Sequence, residues 1–150
     1  MSERSKAEDL LTPAEQARVM EAVRQAEKRT SGEIRVHLDE AITDDVLDHA
    51  AFVFQELGMH RTKDRNGVLI YVSVPSRRAA VIGDAGIHAR LGDGYWQEVL
   101  GVMLSHFKEG RACEGLCRGI ERLGEQLRAH FPYERDDTNE LSDDISFGKA

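Results

Sequence analysis

Glu33, Arg65, Asn66 and Asp84 are the side chains of this 150-residue sequence whose types and glycine-flanked settings best suit chemistry. Glu33 follows Gly32, Arg65 and Asn66 lead into Gly67, and Asp84 sits in Gly83-Asp84-Ala85-Gly86. Glycines leave backbone N–H and C=O groups open to approach. Carboxylates, an amide and backbone carbonyls are the oxygen donors that a hard divalent cation, calcium or magnesium, takes, so Glu33, Asp64, Asn66 and Asp84 with the backbone beside them form a candidate set. Arg65 beside such a cation would grip an anionic oxygen with its two-pronged guanidinium. A metal and an arginine bracketing a phosphate can hydrolyse it, and in that case Arg65 and Asp84 would be catalytic. Simpler uses of the same residues stand beside these. Asp84 as a turn cap, Glu33 paired with Arg65 across two strands, and Asn66-Gly67 as a plain turn account for the pattern equally well.

The elements that would bring these residues together follow from periodicity. Thr12-Pro13-Ala14-Glu15 is a capping box with proline at the first helical position, and it opens a helix with Ala17, Val19, Met20, Val23 and Ala26 as its stripe. "EIRVHLDEAI" alternates, with Ile34, Val36 and Leu38 on one face. Glu33, Arg35, His37 and Asp39 lie on the other, which predicts a strand with a wet or half-covered side. Thr43 is the expected cap of a second helix that buries Leu47, Ala50, Ala51 and Phe54 and ends at Gly58. "GVLIYVSV" is a strand covered on both faces, and "PSRR" is too short for anything but a hairpin into "AAVIGD". Two helices follow, one after Asp93 and one over about Ala112 to Phe131, the second carrying Gly115, Gly119 and Gly124 as places of close packing.

The order α-β-α-β-β-α-α makes a small three-layer α/β/α sandwich, a mixed sheet with helices on both faces. A right-handed crossover makes the first two strands parallel, and the hairpin reverses the third. The end of the third strand then lies beside the starts of the first two, where Glu33, Asn66 and Asp84 are found. Residues 1–11 read as a flexible lead, 12–132 as the domain, and 133–150 as an acidic, largely flexible tail. That tail holds six acids against two bases, although Leu141, Ile145 and Phe147 give it some means of docking.

A formal net charge of -7 argues against an electrostatic hold on nucleic acid. No apolar run is long enough to span a bilayer and no secretory pattern opens the chain, so a cytoplasmic monomer without membrane insertion is expected. Cys113 and Cys117, four apart in a helical pattern, read as small buried or half-buried thiols. Arg35 and His37 read as surface or partner-facing. "GDAGIHARLGDG" lacks the Gly-Lys-Ser/Thr ending and the helix of a phosphate loop.

"TSGEIRVHL", "RNGVLIYVSV", "AVIGDAGI", "MLSHFKEG" and "EGLCRGIERLGEQLRAHFP", in this order, resemble the TPM domain family over about residues 10–132. The family is named for a thylakoid lumen protein, a photosystem II repair protein and a receptor modulator. The resemblance implies an α/β/α sandwich, divalent-metal binding with calcium foremost, an acid phosphatase activity in a plant relative, and partner-module roles in others. Carried onto this chain, the family's polar positions fall on Glu33, Asn66 and Asp84. Many members differ in having a leader peptide, a C-terminal membrane or glycine-rich segment, and a "GYGLEG"-like sequence where this chain has "IGDAGI". The expectations are therefore a cation-binding domain, a metal-assisted phosphomonoester hydrolase acting on a phosphate-containing small molecule, or a non-catalytic module with a protein partner.

Overall fold

The computed structural model describes residues 7–133 and 144–148. Helix α1 runs Pro13–Glu27, and its capping box is complete. Thr12 Oγ1 accepts from the N–H of Glu15, while the Glu15 carboxylate accepts from the N–H of Thr12. Strand β1 (Glu33–Asp39) leads through α2 (Val46–Glu56) to β2 (Gly67–Ser73), and a tight turn gives β3 (Arg78–Gly83). Then come α3 (Ala85–Leu91), α4 (Asp93–Lys108), α5 (Ala112–His130) and a two-residue β4 (Ser146–Phe147).

The sheet order is β3-β2-β1-β4. β1 is parallel to β2 and to β4, whereas β2 and β3 are antiparallel. The crossover and the hairpin are thus as the sequence predicts, and helices cover both faces of a mixed sheet. On one face Ile34, Val36, Leu38, Val68, Ile70 and Val72 meet α1, α4 and α5. On the other, Leu69, Tyr71 and Ala80 meet Ala50, Val53 and Phe54 of α2. All seven residues of β2 are buried, as expected of a strand with two covered faces. The glycines of α5 do bring helices close. A Cβ at Gly119 would lie 2.8 Å from the Met103 side chain, and one at Gly124 would lie 2.9 Å from that of Ala26. Cys113 and Cys117 are free and buried within this layer.

Five expectations need correction. The cap of α2 is Asp45, not Thr43; its carboxylate accepts from the N–H groups of Leu47 and Asp48. The buried stripe of the helix is Ala50, Val53 and Phe54, while Leu47 is 54% exposed and Ala51 faces solvent. The polar face of β1 is not wet, since Glu33, His37 and Asp39 are all buried. A helix, α3, does follow Gly83, capped by Asp84 and seated by the buried Ile87. Lastly, the C-terminal segment contributes to the sheet: Ser146 and Phe147 pair with His37 and Leu38. Residues 134–143, including Leu141, lie outside the described residues.

Candidate functional site

The strand register sets the expected segments side by side. Glu33 pairs with Gly67, and Val68 pairs with Gly83. The N–H of Glu33 donates to Asn66 O at 3.4 Å, and that of Asp84 donates to Gly67 O at 2.9 Å. Glu33, Asn66 and Asp84 therefore belong to three adjacent backbone segments at one edge, and each is almost fully buried.

The side chains of Asp84 and Asn66 are committed to different partners. Asp84 accepts the Arg65 fork, from Nε to Oδ2 at 2.7 Å and from Nη2 to Oδ1 at 2.8 Å, while Oδ1 also takes the N–H of Ala85 at 2.8 Å. Burial works to raise the carboxyl pKa, but the Arg65 bonds and the Ala85 N–H outweigh it and hold the group below its ordinary range. Asp84 is thus an ionised carboxylate serving as helix cap and ion-pair partner together. Arg65 adopts φ 52°, in the left-handed region that non-glycine residues rarely enter. The loop is pinned there because Gly86 N–H donates to Arg65 O at 2.8 Å. A Cβ at Gly86 would lie 2.6 Å from that same oxygen and closer still to Asp64 O, so only glycine fits. Asn66 turns its amide toward Ser31 Oγ at 3.4 Å, and its N–H donates to Thr62 Oγ1 at 3.3 Å.

The donor set is all oxygen, which is the chemistry a hard cation requires. Among the described residues, however, no three His, Cys, Asp or Glu side chains are gathered as a metal-binding group. The guanidinium expected to steady a phosphate holds Asp84 instead.

A polar cluster that sequence reasoning passed over lies at the opposite end of the parallel pair. Asp39 Oδ2 accepts the Tyr71 hydroxyl at 2.6 Å and lies 3.3 Å from His49 Nε2. His49 Nδ1 faces Asp44 Oδ1 at 3.0 Å, and the His37 ring stacks on Tyr71 at 5.8 Å. Burial and the bond to Asp39 push the Tyr71 phenol pKa up, so it stays a donor. The signal was the shared parity of His37 and Asp39 with Tyr71, which the register sets directly opposite His37. A cleft of about 480 Å³ between α1 and α5 has Arg18, Arg29, Arg128, Glu21, Glu121 and Glu125 among its lining.

The TPM domain family model matches residues 5–126. The chain belongs to the TPM domain family. This TPM domain is similar to the BA42 protein of the psychrophilic bacterium Bizionia argentinensis, whose NMR structure has a TM-score of 0.88. The two are 43% identical over 97% of this chain and 100% of that one. The N-terminal domain of a protein from P. gingivalis shares the fold at 22% identity, with a TM-score of 0.69 over 85% of this chain and 84% of its own. No curated protein matches the sequence. Among the described residues of this TPM domain, no helix is long and apolar enough to cross a membrane.

Proposed function

We propose that this TPM domain is a divalent-cation-binding module, calcium before magnesium, held by oxygens of Glu33, Asn66 and Asp84 at the strand edge. Backbone carbonyls or water complete the shell. The observation that carries the reading is the Arg65–Asp84 pair. A buried, ionised carboxylate already takes its counter-charge from a partner whose side chain is 51% exposed. Water screens the exposed guanidinium, so a divalent cation can take its place at the carboxylate. The acidic chain favours the approach of any cation. What the ion supplies is positive charge shared by three adjacent backbone segments, so the proposed role is cation-dependent reinforcement of this edge.

The test is a calcium titration followed by backbone NMR and thermal melting. Amide shifts should saturate first around residues 33, 66 and 84, with a rise in melting temperature. Asp84→Asn keeps a capping side chain and removes the charge, and should lose most of that rise. Arg65→Gln removes the competing cation and should tighten binding. Calcium shifts centred elsewhere, or equal stabilisation of wild type and Asp84→Asn, would overturn the reading.

A further inference from the structure

Among the described residues β4 is attached to the outer edge of β1 by a few bonds at Val36, His37 and Leu38, with Phe147 packed on the core beneath. Its two residues pair with His37 and Leu38, and Gly148 N–H donates to Leu38 O at 2.9 Å. His37 Nδ1 lies 2.8 Å from Ser146 Oγ. We assign the ring proton to Nδ1, since the Ser146 hydroxyl has Val36 O as an acceptor at 3.4 Å and can receive Nδ1–H; the neutral ring then keeps its lone pair on Nε2. Among the described residues that Nε2 has no hydrogen-bond partner, and it is buried on a residue only 6% exposed. Asp39 Oδ2 lies 3.9 Å away but is already taken by Tyr71 and His49.

We propose that β4 is a pH-released clasp, in which protonation of His37 at Nε2 lifts residues 144–148 from β1 and bares that edge of the sheet. A second proton makes an imidazolium in a closed place. The groups around it are Arg35 and Asp39 from β1, the protonated Tyr71 from β2, His49 from α2, and Asp144 acting on Arg35 from the C-terminal segment. Burial pushes the His37 pKa below its usual value; Asp39 opposes this, and Arg35 and His49 reinforce it. Water must reach the new charge, and the ring has two kinds of cover. Tyr71 belongs to a fully buried central strand, whereas β4 is two half-buried residues. β4 is the cover that can leave while the sheet stays intact. Gly148 also packs on Asp39 so closely that a Cβ there would collide with the carboxylate. Any turn of Asp39 toward a charged His37 therefore disturbs the same contact.

The sign follows from linkage. The closed form holds its proton less tightly than an exposed histidine does, so the open form binds more protons. The clasp is closed above the ordinary histidine pKa and opens progressively as pH falls below it.

The experiment uses the full chain and NMR between about pH 7.5 and about pH 5, the range over which histidine charges. His37 ring shifts and the exchange protection of the Gly148 amide, corrected for intrinsic rates, are followed in the same samples. The expected result is a tenfold or greater loss of Gly148 protection over the interval in which His37 titrates, while amides in β2 keep theirs. His37→Gln should remove the pH dependence, and Ser146→Ala should lower protection at both ends of the range. Gly148 protection that persists while His37 titrates overturns the proposal, and so does the same acid-dependent loss in His37→Gln. Should His37→Gln leave β4 undocked at every pH, coincidence of the two curves in the wild type decides.

Discussion

Tyr71 donates its hydroxyl hydrogen to Asp39 across the parallel β1–β2 pair, although the register places Tyr71 opposite His37 and Asp39 opposite Ser73. The reach is diagonal, two residues along the neighbouring strand. Asp39 also takes Glu40 N–H at 2.9 Å and stands against His49, so one carboxylate joins β1, β2 and α2. A one-residue slip of either strand would turn these groups to the other face and leave them unpaired, which makes the cluster a register lock.

Tyr71→Phe should therefore cost stability out of proportion to one oxygen atom. It leaves a buried carboxylate one donor short, and the loss should be about 1–3 kcal/mol in urea unfolding. A variant as stable as the wild type would show that the cluster adds nothing.

Asp84 caps α3, and Asp84→Ala should lower stability by about 1 kcal/mol, with Asp84→Asn recovering much of the cap. The charge has its own signature. Because the folded carboxyl titrates below its ordinary value, its stabilisation is present in full above that value. It is lost as pH falls through the folded pKa, so melting curves of wild type and Asp84→Asn should converge in strong acid. A gap independent of pH would assign the effect to shape alone.

Two glycine substitutions should move in opposite directions. Gly86→Ala forces a Cβ onto the carbonyls of Asp64 and Arg65 and should cost about 1–3 kcal/mol. Gly101→Ala, inside α4 with open space around it, should gain roughly 0.5–1 kcal/mol from helix propensity. Denaturant midpoints measure both.

The thiols should be inert in the native state. Burial first, and the neighbouring Cys113 second, push the Cys117 pKa up to about 11. Iodoacetamide at mildly alkaline pH should label neither cysteine until urea is added, Cys117 because the thiolate is the nucleophile and Cys113 because it is buried. Rapid native labelling of Cys117 would contradict its buried setting.

Much of the architecture was legible because strong, local signals set it. The capping box at Thr12, the unbroken apolar run of β2 and a hairpin with no room for a helix lead to the parallel pair, the reversed third strand and the shared edge. What escaped depended on choices between near-equals. Thr43 and Asp45 are both good caps, and only the extended backbone at Asp45 with its two N–H bonds decides between them. α3 is seven residues, too short for a periodic stripe, and it rests on one cap and one buried isoleucine. Alternation on β1 marks a polar face but does not say whether water or other polar groups satisfy it; here Tyr71 and His49 do. At the candidate site the meeting of backbones was readable, but the side-chain commitments were not. Which acid Arg65 grips depends on a left-handed backbone angle at a residue type that rarely adopts one.

The sheet joins two strands made far apart in synthesis. β1 ends at residue 39 and β4 begins at residue 146, so more than a hundred residues are added between them. A nascent chain therefore carries a bare β-edge over that interval, guarded at Ile34 N–H by the Glu27 carboxylate 2.8 Å away. Stalled or truncated products lacking β4 would share that open edge, and self-association through it is the hazard they inherit.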